Sequence, residues 1–177
     1  MTRRVWLVLT IAAAGAIGWM ASSMHRPGAN VAEEGHSSGA GARLYWTTPG
    51  LESDTCVAAW LLTRYVSPGA RVELRNMSEE GVAFDVPGCT LQRQPGMAVS
   101  DIILSKYDIQ DPFARNVVAV VHEIELNPWT TRDDRFFMTV RSGLAEAINL
   151  RGGDEHCLAE ALRFLDELRL SLSASSE

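Results

Sequence analysis

"DTCVAAWLLTRYVSP", residues 54–68, decides how the rest of the chain is read. An acid and a thiol open a strongly apolar stretch with Trp60 at its centre, Arg64 closes it, and Pro68 and Gly69 stop it. Ser53 just before it is a good helix cap, and Asp54 in the first turn suits the positive end of a helix dipole. The stretch is expected to be a core helix from about residue 54 to residue 66. Trp60, set among Ala58, Ala59, Leu61 and Leu62, is expected to pack rather than to bind.

Working outward, "ARLYWTT" (42–48) has the β-branched and aromatic content of a short strand, and "TPGLES" turns the chain into the helix. After the helix, "RVELRN" (71–76) alternates apolar and polar residues as a half-exposed strand. "GVAFDVPGCTLQR" (81–93) suggests two short strands around a turn at Pro87 and Gly88. A helix is expected from Met97 to Tyr107. Asp111 followed by Pro112 then starts another, whose Phe113, Val117, Val120, Val121 and Ile124 form an apolar stripe. Beyond the polar loop "NPWTTRDD", the helix "RFFMTVRSGLAEAINL" is weakened by Gly143. The last helix, "EHCLAEALRFLDELRLSL", spaces Leu158, Leu162, Leu165, Leu168 and Leu172 along a face that needs a partner surface. The expectation is an α+β (or small α/β) domain: a sheet of three or four short strands packed against four or five helices.

The chain has 177 residues, 46% of them hydrophobic and 21% charged, which suits one domain with a real core. Setting aside Arg3 and Arg4, the rest holds 14 basic against 22 acidic residues, a net charge of −8. Such a body repels a phosphate backbone, so nucleic acid is excluded as a partner class. At the start, "MTRRVWLVLTIAAAGAIGWMASS" places two arginines before an uncharged run from Val5 to about Ser23. That is the pattern of a signal peptide or a transmembrane anchor, with the body extracytoplasmic in either case. Ala21 and Ser23 would allow cleavage before Met24, but the long run and the bulky Trp19 and Met20 favour an uncleaved anchor. The paired arginines also resemble a twin-arginine export motif, though with a very short leader. Residues 24–41, rich in Gly, Ser and Ala, read as a flexible linker, and the domain as residues 42–177. Three widely spaced cysteines without a CxxC leave both one bridge and three free thiols open.

"RLYWTT", "DTCVAAWLLTRYVSPGA", "AFDVPG" and "KYDIQDPFARNVVAVVHEIEL" follow one another in the order and spacing of the chromate-resistance exported protein family, whose domain also forms the C-terminal half of chromate-resistance regulatory proteins. The resemblance covers roughly residues 43–149. It implies that Asp54, Ala59, Trp60, Leu61 and Arg64 occupy the family's helix, Phe84 and Asp85 its Phe-Asp strand, and Asp111 and Pro112 its Asp-Pro helix start. It also places Val121, His122 and Glu123 on the family's Val-His-acid segment. One departure stands out. Where relatives carry a His and a Cys before a Phe-Glu pair, this chain reads "QRQPGMAVSDIIL", with Asp101 nearest to the Glu and Cys89 the nearest thiol.

His122, Glu123 and Glu125 form the leading constellation, because His122 and Glu125 are three apart on a helix and share a face. A divalent metal ion is the candidate cofactor, with Asp54 and Asp85 (and Asp101) as the acids able to complete a ligand set, since two ligands alone are not a metal centre. Cys56 is the reactive-thiol candidate, because the first turn of a helix favours thiolate. Arg64 is the oxyanion candidate, with a surface ion pair as the plain alternative. The resemblance implies a periplasmic accessory protein, anchored through residues 5–23, that binds, senses or handles a metal or an oxyanion such as chromate, more in the manner of a binding protein than an enzyme. A small thiol- or His/acid-dependent reductase or hydrolase is one alternative. A non-catalytic protein-interaction module whose C-terminal leucine face docks a partner is the other, and a homo-oligomer is also open.

Overall fold

The computed structural model describes residues 43–174. The expected anchor and the linker at residues 24–41 lie outside the described residues. Among the described residues no helix is long and apolar enough to cross a membrane.

The order is β1 (Leu44–Thr47), α1 (Ser53–Leu61), a π-helical turn (Leu62–Val66), β2 (Arg71–Leu74), β3 (Val82–Ala83), α2 (Val99–Lys106), α3 (Pro112–Leu126), α4 (Arg135–Ile148) and α5 (Asp154–Ala174). The three strands are parallel with β1 in the centre, in the order β2-β1-β3, so the fold is the mixed α+β arrangement expected. Tyr45 lies opposite Val72 and Val82, and Trp46 opposite Glu73 and Ala83. The second strand expected after Pro87 is reduced to a single bridge between Phe84 and Leu91. Seven residues carry the chain from β2 past β1 to β3. Gly81 makes that passage close: its φ is +83°, and a Cβ there would sit 2.7 Å from the Leu44 carbonyl oxygen.

Helix α1 is the centre of the core. Every residue from Asp54 to Leu61 is buried, which is what a helix without a polar face requires. It packs against α2, α3, α4 and α5. Its cap position is Glu52 rather than Ser53, and the Glu52 side chain makes no capping bond. The helix then widens by one residue per turn, with the Ser67 N–H donating to the Leu62 carbonyl at 2.8 Å. The Thr63 hydroxyl donates back to the Ala59 and Trp60 carbonyls at 2.8 and 3.2 Å, occupying acceptors that the wider turn loosens. Beyond this turn, Tyr65 donates to Asp111 on the N-cap of α3, and Arg64 pairs with Asp166 on α5.

The leucine face of α5 is largely covered within the fold: Leu158 and Leu165 are buried, and Leu162 and Leu168 pack against the core. Gly143 is a notch rather than a weakness. The Phe164 ring of α5 lies where its Cβ would be, 2.1 Å from the nearest ring atom. Trp60 is fully buried, edge-on to Tyr65 and Phe113, and its indole N–H donates to Asp166 at 2.8 Å.

Candidate functional site

Polar side chains gather at the carboxyl ends of β1 and β3, where α1 begins. Asp85 lies two residues beyond the end of β3 and holds a φ of +54°, a conformation that a non-glycine residue adopts at a cost of about 1 kcal/mol or more. Three bonds keep it there. Thr55 on α1 donates its hydroxyl at 2.6 Å, and Arg93 donates through Nε and Nη2 at 2.8 and 3.0 Å. The same guanidinium lies 2.5 Å from Glu52, 3.6 Å from Asp54 and 4.0 Å from Glu125. Four carboxylates therefore surround one arginine. An open cleft of about 310 Å³ beside them is lined by Asp85, Val86, Pro87, Gln92 and Arg93.

Asp54 is fully buried and accepts from the backbone N–H groups of Val99 and Ser100 at 2.7 and 3.0 Å. It does for α2 what a side-chain cap normally does, because Ala98 at the cap position has no acceptor to offer. Burial pushes its carboxyl above the usual range, against the hydrogen bonds from Ser100 and Val99 and the charge of Arg93. Asp101, three residues into the same helix start, accepts from the Ala98 N–H at 2.9 Å and also bonds His122 Nδ1 at 2.7 Å. His122 is 36% exposed, and this bond leaves Nε2 as its other ring nitrogen.

The expected His122–Glu123–Glu125 constellation is divided among three partners: Glu123 points away from the face that His122 and Glu125 share, and those two meet different neighbours along it. His122 turns to Asp101, Glu123 pairs with Arg132 at 2.7 Å, and Glu125 faces Arg93. Burial pushes the Glu125 carboxyl up, the charges of Glu52 and Asp54 push the same way, and Arg93 opposes them. Asp54, Asp85 and Glu125 do meet, but around Arg93. Among the described residues no group of three or more His, Cys, Asp or Glu side chains is arranged to hold a metal ion.

Cys56 departs from the expectation drawn from its position in the helix. It is wholly buried, and burial pushes its thiol up to about 12, with Cys157 and Asp54 adding to the shift, so the dipole at the helix start is outweighed. All three cysteines are free thiols: Cys56 and Cys157 are buried, and Cys89 is partly exposed. Arg64 is engaged by Asp166 through Nε and Nη2, at 3.0 and 2.8 Å. The sequence reading passed over Arg93, Glu52 and Thr55. Its one available signal was that Arg93 is the sole basic residue between Arg75 and Lys106.

No curated protein and no solved structure matches the chain. The family model described as "ChrB, C-terminal domain" matches residues 45–171, which takes in β1 from its second residue, β2, β3, α1 to α4 and most of α5. A match across that span, in agreement with the motifs at Asp54, Phe84–Asp85, Asp111–Pro112 and His122, makes the chain a member of the ChrB C-terminal domain family and a chromate-resistance-related protein.

Proposed function

We propose that this chain is an exported or membrane-anchored accessory protein of chromate resistance that binds a small ion at the carboxyl end of its sheet. One observation carries the location. Strand β1 has β2 on one side and β3 on the other, so its carboxyl end is a point where the strand order reverses. In open parallel sheets ligands bind in the crevice outside such a point. Asp85 in its strained conformation, Arg93 and the adjoining cleft all stand there, and His122 belongs to the same polar end through Asp101 and α2. Export rests on Arg3, Arg4 and the uncharged run that follows them.

Local charge favours a metal cation over chromate as the ion. Arg64, the oxyanion candidate, is already committed to Asp166, and Arg93 to Asp85 and Glu52. An oxyanion approaching Arg93 would also meet four carboxylates. A cation meets the opposite field and finds in His122 an imidazole whose Nδ1 is held by a carboxylate, the support that metal-bound histidines commonly have.

Equilibrium dialysis of the purified full chain against Zn²⁺ and, separately, chromate tests this. Zn²⁺ is expected to be retained, and His122→Ala to weaken retention roughly tenfold or more, the usual scale for a disturbed metal site. Retention unchanged in His122→Ala sinks the assignment, and retention of chromate alone reverses the choice of ion. The His122–Asp101 pair also favours a second reading, a His/acid hydrolase, because an oriented imidazole is a general base. A hydrolysis rate abolished in His122→Ala at unchanged Zn²⁺ retention would select it.

A further inference from the structure

Outside that site, the loop of residues 127–134 presents Trp129, 91% exposed, at the surface. A tryptophan in water on a floppy loop says little, but this loop is tied down at several points. The Arg132 guanidinium bonds Glu123 on α3 at 2.7 Å and Asp134 at 2.6 Å, and it stacks over the Phe137 ring at 5.2 Å. Asp134 in turn caps α4 through the Phe137 N–H at 2.9 Å, and the Thr130 N–H donates to the Asn127 carbonyl at 2.9 Å. The indole is thus held out on an ordered support, which lowers the entropy lost when something covers it.

Directly beside it is a small open pocket of about 70 Å³, walled by Ile124, Pro128, Thr130 and Phe137 with Glu123 and Arg141 at its polar edge. Pro128 and Thr130 flank Trp129 in the chain, so knob and hole are neighbours on one surface. Leu126 and Met138, both partly exposed, extend the apolar area at either end of the loop. Among the described residues Asp133, Arg135 and Arg141 enter no ion pair of the protomer, so both signs of charge stand available on the rim.

We propose that this loop is a self-association surface, where Trp129 of one copy seats its ring edge in the pocket beside Trp129 of a second copy. A two-fold contact requires one surface to complement itself, and an adjacent knob and hole with mixed rim charge meets that requirement. Tryptophan is among the residue types that most often dominate such contacts. This inference stands apart from the ion-binding reading, because it uses neither His122 nor Arg93.

Sedimentation velocity of the detergent-solubilised full chain over a range of concentrations gives the test. The wild type is expected to shift from monomer to dimer. Trp129→Ala should weaken that equilibrium roughly tenfold or more, and Arg141→Glu should weaken it as well. Because Trp129 is exposed, its replacement is expected to leave circular dichroism unchanged. Any association through the N-terminal segment is common to all variants and cancels in the comparison. A wild type that stays monomeric, or identical mass curves for wild type and Trp129→Ala, overturns the proposal. So does a monomer whose tryptophan emission shifts on adding anionic lipid vesicles only when Trp129 is present, which would make the loop a membrane contact.

Discussion

Asp54 places a carboxylate where no part of it meets water, and its two oxygens are spent on the first N–H groups of α2. The acid that the family motif singles out is therefore the one most fully engaged in holding the fold. Glu125, 19% exposed, is in a different position: it lies 4.0 Å from Arg93, accepts from the Asp54 backbone N–H, and has Glu52 and Asp54 as like-charged neighbours. Its folded carboxyl titrates above the unfolded value of about 4.3, so the native state keeps this proton to higher pH than the unfolded chain does. As pH rises through that interval the unfolded state is favoured, and above it the group is a constant penalty on stability. Glu125→Gln removes the penalty. The variant is expected to melt at or above the wild-type temperature at pH 7, with the difference shrinking as pH falls to about 4. Thermal scans at the two pH values decide it. A Gln variant that is less stable at pH 7, and recovers in acid, would show instead that the Glu125 charge is a net favourable partner of Arg93.

Elements were legible in the sequence to the degree that local chemistry decides them. The Asp111–Pro112 start, the apolar stripe of α3 and the core character of α1 are each fixed by residues within a turn or two of one another, and each is where the pattern puts it. The π-helical turn was not legible, because it depends on Thr63 bonding backward and on α3 and α5 receiving Tyr65 and Arg64. Nor was the role of Gly143, which reads as a helix weakness until Phe164 from another helix fills its notch. This reverses the usual expectation for a helical glycine. Alanine gains about 1 kcal/mol of helix propensity. Here its methyl group would meet the Phe164 ring at 2.1 Å, and overpacking costs typically about 1–3 kcal/mol. Gly143→Ala is expected to destabilise the chain in urea unfolding, while Gly143→Ala combined with Phe164→Leu recovers most of the loss. A single variant at or above wild-type stability would mean that the ring moves aside at no cost.

At the scale of the whole molecule, the candidate site eluded sequence spacing because a parallel sheet assembles it. Glu52, the Asp85–Arg93 pair and Glu125 lie far apart in the chain and meet only because β1 and β3 end side by side and α3 returns to the same end. Helix α5 closes the body in a similar long-range way. Asp154 at its start accepts from the Gly50 N–H at 2.7 Å, Asp166 holds Trp60 and Arg64, and Arg169 reaches Asp111 at 2.7 Å. The two bonds to Asp166 are unequal. Its pair with Arg64 is 39% and 37% exposed and so contributes about 0–1 kcal/mol. Its bond to the buried Trp60 N–H spares a donor that would otherwise be orphaned in the core, at about 1–3 kcal/mol. Asp166→Ala is therefore expected to cost clearly more stability than Arg64→Ala, and Asp166→Asn, which keeps an acceptor for the indole, to restore most of the difference. Urea unfolding of the three variants measures this directly. If Asp166→Asn proves as costly as Asp166→Ala, the charge rather than the indole bond fastens α5 to the core helix, and the ranking of these two bonds is reversed.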